Sequence, residues 1–223
     1  MTLRFVEHAS RAAQAEALAD VVAADLQLAV EVGAASLAVP GGSTPKPFLE
    51  ALADRALDWA AVMVTATDER WAPPTDARSN EAMIRAALRP RAFLPFWREG
   101  RTPEDAAPAL AEDVARHLPF SSVVMGMGDD RHCASLFPGA PGLAAAFAAD
   151  APAVAAIRPG DGLEPRVTLT APALAGAGRL RLLIAGGEKR KALDAALADP
   201  DPARSPVAAV LAMAARAEVH WAP

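Results

Sequence analysis

Asp130 and His132 stand two residues apart in the stretch Gly126-Met-Gly-Asp-Asp-Arg-His-Cys-Ala-Ser-Leu-Phe-Pro-Gly139. A carboxylate beside an imidazole suits general acid–base chemistry. An imidazole can take up and return a proton, and the carboxylate can orient it. The apolar run Ser122-Val-Val-Met125 precedes them and reads as a short buried strand. Gly126 and Gly128 then allow a sharp turn. The pair is thereby presented at the C-terminal edge of a sheet, where open α/β folds bind ligands. The alternative is a polar turn carrying one surface histidine.

Three further loops carry groups suited to an anion. Gly41-Gly42-Ser43-Thr44-Pro45 lies between a predicted strand and a predicted helix. Its glycines permit close backbone approach, its hydroxyls donate, and the helix start favours a phosphate. It matches neither the Walker spacing nor the dinucleotide-binding Gly-x-Gly-x-x-Gly spacing. Thr67-Asp68-Glu69-Arg70-Trp71 follows another strand. Arg70 can grip a phosphate with two parallel hydrogen bonds. Asp68 and Glu69 can hold Arg70 in place, or one of them can act as a base. Trp71 reads as a wall or core residue, and Ser79-Asn80 as a helix cap. Gly187-Glu188-Lys189 opens a late helix. The helix dipole disfavours a lysine there unless an anion is present, so Lys189 reads as a phosphate ligand. Cys133 adjoins His132, but adjacent residues rarely align as nucleophile and base. His8, His117 and His220 lie outside these loops and read as structural. No spacing of His, Asp and Glu makes a metal site.

The elements that must position these loops alternate. A helix is predicted from Ser10 to Val32, with Ser10 as cap, Gly33 as terminator and a stripe of Leu18, Val21, Val22, Leu26 and Val30. Strands are predicted at Ala35–Val39, Ala61–Thr65, Ser122–Met125, Ala153–Ile157, Arg166–Thr170 and Leu180–Ala185, with Val219–Trp221 closing the sheet. Helices are predicted over Phe48–Leu52, Glu81–Leu88, Glu104–His117 and Gly186–Leu197. Thr67–Ser79 is predicted as a polar loop and Pro90–Pro103 as a Pro-rich connection. Strands alternating with helices imply right-handed crossovers and a largely parallel sheet.

The chain has 223 residues, enough for one sizeable α/β core or two small ones. Its 22 Lys and Arg against 27 Asp and Glu leave a formal charge of -5. That balance argues against nucleic-acid binding, which needs clustered positive charge. A single cysteine excludes an internal disulfide. Glu7, His8, Arg11 and Glu16 interrupt any N-terminal apolar run, and no stretch is long and apolar enough to span a bilayer. A cytoplasmic location and no membrane partner are expected. Anion donors, carboxylates and one histidine at the same sheet edge point to proton-transfer chemistry on a phosphorylated small molecule.

These loops, in this order, resemble the family of 6-phosphogluconolactonases and glucosamine-6-phosphate isomerases. The resemblance rests on Pro40–Pro45, Asp68–Trp71 with Ser79-Asn80, Gly126–Pro138 and Gly187–Lys189, supported by Arg166–Thr170 and Val219–Trp221. It spans almost the whole chain, so residues 1–223 are expected to form a single domain. It implies a three-layer, Rossmann-like α/β fold with helices on both faces of the sheet. It implies metal- and cofactor-free hydrolysis of 6-phospho-D-glucono-1,5-lactone in the oxidative pentose phosphate pathway, by a monomer or weak homodimer. His132 would be the general base and Asp130 its partner. Gly41, Gly42, Ser43, Thr44, Asp68, Arg70, Arg131 and Lys189 would bind substrate. The family usually has glycine where this chain has Arg131. If that position needs φ > 0, Arg131 is strained; the reading adopted is an unstrained substitution at the pocket mouth. The deaminase branch usually carries an acid five positions after the motif histidine, where this chain has Phe137. That favours the lactonase. A sugar-phosphate-sensing domain would be joined to a DNA-binding segment, for which the N-terminal strand before the first helix leaves no room.

Overall fold

The computed structural model describes residues 2–160 and 162–223. In chain order the first half comprises β1 (Thr2–Glu7), α1 (Arg11–Glu31), β2 (Ala35–Val39), α2 (Lys46–Ala53), β3 (Val62–Ala66), β4 (Asp68–Arg70), α3 (Asn80–Leu88) and β5 (Ala92–Leu94). The second half comprises α4 (Pro103–Ala115), β6 (Ser122–Met125), α5 (Leu143–Ala146), β7 (Val154–Ile157), β8 (Arg166–Leu169), α6 (Ala171–Ala175), β9 (Leu180–Ala185), α7 (Gly187–Ala198), α8 (Pro206–Met213) and β10 (Arg216–Ala222).

Seven strands form one parallel sheet in the order β1-β10-β9-β6-β2-β3-β5. Side chains alternate between its faces. On β2, Leu37 and Val39 join one apolar cluster and Ala38 the other; on β6, Val124 faces the first cluster and Val123 and Met125 the second. α1, α2 and α3 cover the first face through Leu18, Val22, Leu26, Phe48, Leu49, Ile84 and Leu88. Leu110 and Val114 of α4 and Val207, Val210 and Leu211 of α8 cover the second. The result is three layers, and strands such as β2 are buried along their whole length, as parallel strands covered on both faces must be. Ser10 caps α1 by accepting from the Ala13 amide at 3.2 Å.

Three predictions about the sheet need correction. β7 and β8 are strands, but they leave the parallel sheet and pair antiparallel with β4 in a second sheet of order β4-β8-β7. Part of the predicted polar loop Thr67–Ser79 is β4 itself, separated from β3 by Thr67 alone. Finally, β10 does not close the sheet: it lies between β9 and the edge strand β1. The buried α8, Pro-Val-Ala-Ala-Val-Leu-Ala-Met, carries no polar face and hence no helical period to read. Among the described residues no helix is long and apolar enough to cross a membrane.

Candidate active site

The strand order places the site. From β2 the chain winds outward through β3 to β5, and from β6 it winds the opposite way through β9 to β10. The order therefore reverses between β2 and β6, and the crevice beyond their C-terminal ends is the expected ligand site. A cleft of about 300 Å³ opens there. The loops after β2 and β6, strand β4 after β3 and the first turn of α7 after β9 all reach it.

His132 lines the cleft and Asp130 sits behind it. Asp130 Oδ1 lies 2.5 Å from His132 Nδ1 and also accepts from the His132 amide at 3.2 Å. A carboxylate on Nδ1 fixes the proton there and leaves the Nε2 lone pair free. Burial would raise the Asp130 carboxyl, but the hydrogen bonds and charge of His132 outweigh it and hold the group below the usual carboxylate range. Gly128 makes the arrangement possible. A Cβ there would fall 2.1 Å from His132 Cε1 and Nδ1 and 2.6 Å from Asp130 Oδ1.

Arg131 corrects the unstrained reading. Its φ is 70°, in the left-handed region, and Ala134 at 49° shares it. Such a backbone costs a β-carbon-bearing residue about 1–2 kcal/mol. The Val207 amide at the start of α8 donates to the Arg131 carbonyl at 3.2 Å and helps to hold the turn. The guanidinium reaches Ser205 Oγ at 3.5 Å and does not line the cleft, so the structure does not bring Arg131 to the other predicted binding residues.

Gly41, Gly42, Ser43, Thr44, Asp68, Arg70 and Lys189 do line the cleft. α2 has no side-chain cap, which leaves its leading N–H groups for solvent or a ligand. The Lys189 ammonium donates to the Met127 carbonyl at 2.8 Å and pairs with Asp129 at 2.7 Å. Neither Asp68 nor Glu69 holds the Arg70 guanidinium, contrary to one sequence reading. Asp68 accepts from Ser135 Oγ at 2.6 Å and Thr67 Oγ1 at 3.1 Å. Glu69 accepts from the amides of Arg70, Asn80 and Glu81 and from Ser79 Oγ. It is an anion seated under the N-terminus of α3, with burial pushing its carboxyl up. Arg70 Nη1 donates instead to the Arg78 carbonyl at 2.7 Å.

Asn80 is the residue that sequence reasoning undervalued. Ser79 does cap α3, accepting from the Ala82 amide, but Asn80 lines the cleft. Asn80 Nδ2 donates to the Asp68 carbonyl at 2.7 Å, and a Cβ on Gly41 would meet Asn80 Oδ1 at 1.7 Å. Its place in Asp-Glu-Arg…Ser-Asn was the available signal. Trp71 packs against the core and donates to the Arg101 carbonyl. Cys133 is fully buried, and burial with the Asp68 charge pushes its thiol up, away from nucleophilic use. His8, His117 and His220 lie outside the cleft lining. Among the described residues no cluster of three His, Cys, Asp or Glu side chains could hold a metal.

The family model for glucosamine-6-phosphate isomerases/6-phosphogluconolactonase matches residues 9–221. The chain belongs to that family. It is 42% identical over 221 residues to a 6-phosphogluconolactonase of Rhizobium meliloti, covering 95% of each chain. It is 39% identical to one of Pseudomonas aeruginosa, covering 96% of this chain and 92% of that one. A crystal structure of a 6-phosphogluconolactonase from Shewanella baltica superposes with a TM-score of 0.94 at 32% identity, covering 100% of this chain and 98% of that one. Within the glucosamine-6-phosphate isomerase/6-phosphogluconolactonase family, Phe137 acquires meaning. Its ring packs on the His132 ring with centroids 4.3 Å apart, so the position five residues after His132 is apolar and in contact with the imidazole.

Proposed function

We propose that this chain hydrolyses 6-phospho-D-glucono-1,5-lactone to 6-phosphogluconate, without a metal, with His132 as general base. The observation that carries the reading is the Asp130–His132 pair, whose free Nε2 belongs to a ring lining the same cleft as Arg70 and Lys189. Similarity to 6-phosphogluconolactonases of Rhizobium meliloti and Shewanella baltica supports the same substrate.

In this reading Nε2 takes a proton from water while the water oxygen attacks the lactone carbonyl. Asp130 keeps the imidazole in the required tautomer and stabilises the imidazolium that forms. Collapse of the tetrahedral intermediate breaks the bond between the carbonyl carbon and the ring oxygen. The imidazolium then returns its proton to that oxygen. Arg70, Lys189 and the Gly42–Thr44 loop bind the phosphate, while Gly41, Asp68 and Asn80 shape the wall beside it. Arg70 and Lys189 also place positive charge where a divalent cation would otherwise compete.

The test is hydrolysis of freshly generated lactone, corrected for the spontaneous reaction, with glucosamine 6-phosphate assayed beside it. Lactone turnover that survives exhaustive EDTA treatment supports the reading. Turnover of the amino sugar alone, or a requirement for added zinc, magnesium or calcium, contradicts it.

A further inference from the structure

Arg70 and Arg166 face each other directly across the antiparallel pair β4–β8. Like charges at opposed positions destabilise a sheet. The structure does little to relieve them. Arg166 is 7% exposed, yet among the described residues its guanidinium donates no hydrogen bond. Among the described residues its nearest carboxylate is Glu164, at 3.8 Å. Among the described residues, the Nε atoms of Arg70 and Arg166 are the two buried side-chain polar atoms left without a partner. A guanidinium carries five donors, and burying it unpaired is expensive.

Among the described residues the carboxylates of Glu164, Asp68 and Glu69 oppose the Arg70 charge at Arg166, but none of them hydrogen-bonds its guanidinium. Glu164 is shared with Arg78, 3.9 Å away. Asp68 and Glu69 also lie within electrostatic reach of Arg166. Their oxygens accept hydrogen bonds from Ser135, Thr67, Ser79 and the amides at the start of α3, so they act on Arg166 through their charge alone. Burial first, and then the Arg70 charge, pull the Arg166 proton affinity below its ordinary value against the opposing pull of Glu164, Asp68 and Glu69.

We propose that Arg166 is a positioning residue for anion recognition: its buried guanidinium, opposed to Arg70 across β4–β8, makes Arg70 depend on a phosphate dianion in the cleft for neutralisation. Arg166 acts through Arg70, which lines the cleft, whereas Arg166 does not. Binding a phosphate relieves a repulsion already present in the free protein, and a neutral ligand cannot. Glu164 has the opposite effect, because it partly satisfies the pair when the cleft is empty. The inference deepens the proposed function by assigning discrimination between phosphorylated and unphosphorylated lactones to a residue outside the cleft.

The experiment measures affinity for inorganic phosphate by calorimetry on the whole chain, for wild type, Arg166→Met, Arg166→Lys and Glu164→Gln. One buried charge acting over several ångströms predicts roughly tenfold weaker phosphate binding in Arg166→Met. Arg166→Lys should recover most of that loss, and Glu164→Gln should bind phosphate about threefold more tightly than wild type. In kinetics, Arg166→Met should lower the ratio of kcat/KM for phosphorylated over unphosphorylated lactone by a similar factor, chiefly through KM. A folded Arg166→Met that binds phosphate like wild type, or an unchanged ratio, overturns the proposal. If Arg166→Met does not fold, Glu164→Gln decides, since weaker or unchanged phosphate binding there overturns it too. If no form hydrolyses the lactone but phosphate affinities follow the stated order, the lactonase reading fails while the role of Arg166 stands.

Discussion

Replacing Lys189 with Met removes a charge and keeps most of the stem. The ammonium is held ready at the cleft by the Met127 carbonyl at 2.8 Å and by Asp129 at 2.7 Å. Asp129 is 93% exposed, so water screens it and it competes only weakly with a bound dianion. The charge-assisted contact to phosphate should then be expressed almost in full, at about 1.5–3 kcal/mol. That corresponds to a rise in KM of roughly 10- to 150-fold for the phosphorylated lactone. The turnover number should change little, because Lys189 sits in the first turn of α7, after β9, while the proton transfer belongs to the loop after β6. Unphosphorylated gluconolactone supplies the control. Its kcat/KM should fall by far less, since it offers no partner to the ammonium. Initial rates for both substrates, corrected for spontaneous opening, give the comparison. Equal losses on the two substrates would refute the assignment of Lys189 to phosphate.

Gly128→Ala should lower kcat by roughly 100-fold, because a Cβ 2.1 Å from the His132 ring forces the base out of place; steady-state kinetics on folded protein would check it. A second prediction concerns acid stability. His220 is 2% exposed and stacks on His8, and burial holds it at about 4 against an unfolded value near 6.5. The unfolded chain therefore binds more protons between these values, and stability falls as pH drops through that window. The loss approaches about 3 kcal/mol by pH 4, and burial lowers His8 in the same direction. Urea unfolding at pH 7, 6, 5 and 4 should show this decline in wild type and a much shallower one in His220→Gln.

The central architecture was legible because strands such as Ala35–Val39 are short apolar runs and α1 buries Leu18, Val22 and Leu26 of the predicted stripe behind a capping serine, although Val21 of that stripe is exposed. The second sheet was not. β4 is Asp-Glu-Arg, three charged residues without β propensity, and only its pairing with β8 makes it a strand. At the site, most predicted binding residues converge because they follow neighbouring strands on either side of the reversal in strand order. Glu69 and Arg131 escaped the sequence reading for different reasons. Glu69 looks like a partner for Arg70, but the amides at the start of α3 offer it more hydrogen bonds than a guanidinium would. Arg131 looks like a pocket cation, but its left-handed backbone and the Val207 amide aim the side chain toward Ser205. The opposed Arg70 and Arg166 lie 96 positions apart in the chain, and no local pattern announces their meeting.

The most direct test of the account is the turnover number of His132→Asn on 6-phosphogluconolactone. Asparagine can still donate toward Asp130 but cannot take a proton from water. With folding verified by circular dichroism and spontaneous hydrolysis subtracted, kcat should fall by roughly 10²-fold or more while KM stays near wild type. A folded His132→Asn variant that turns over at close to the wild-type rate would contradict the assignment of His132 as the general base.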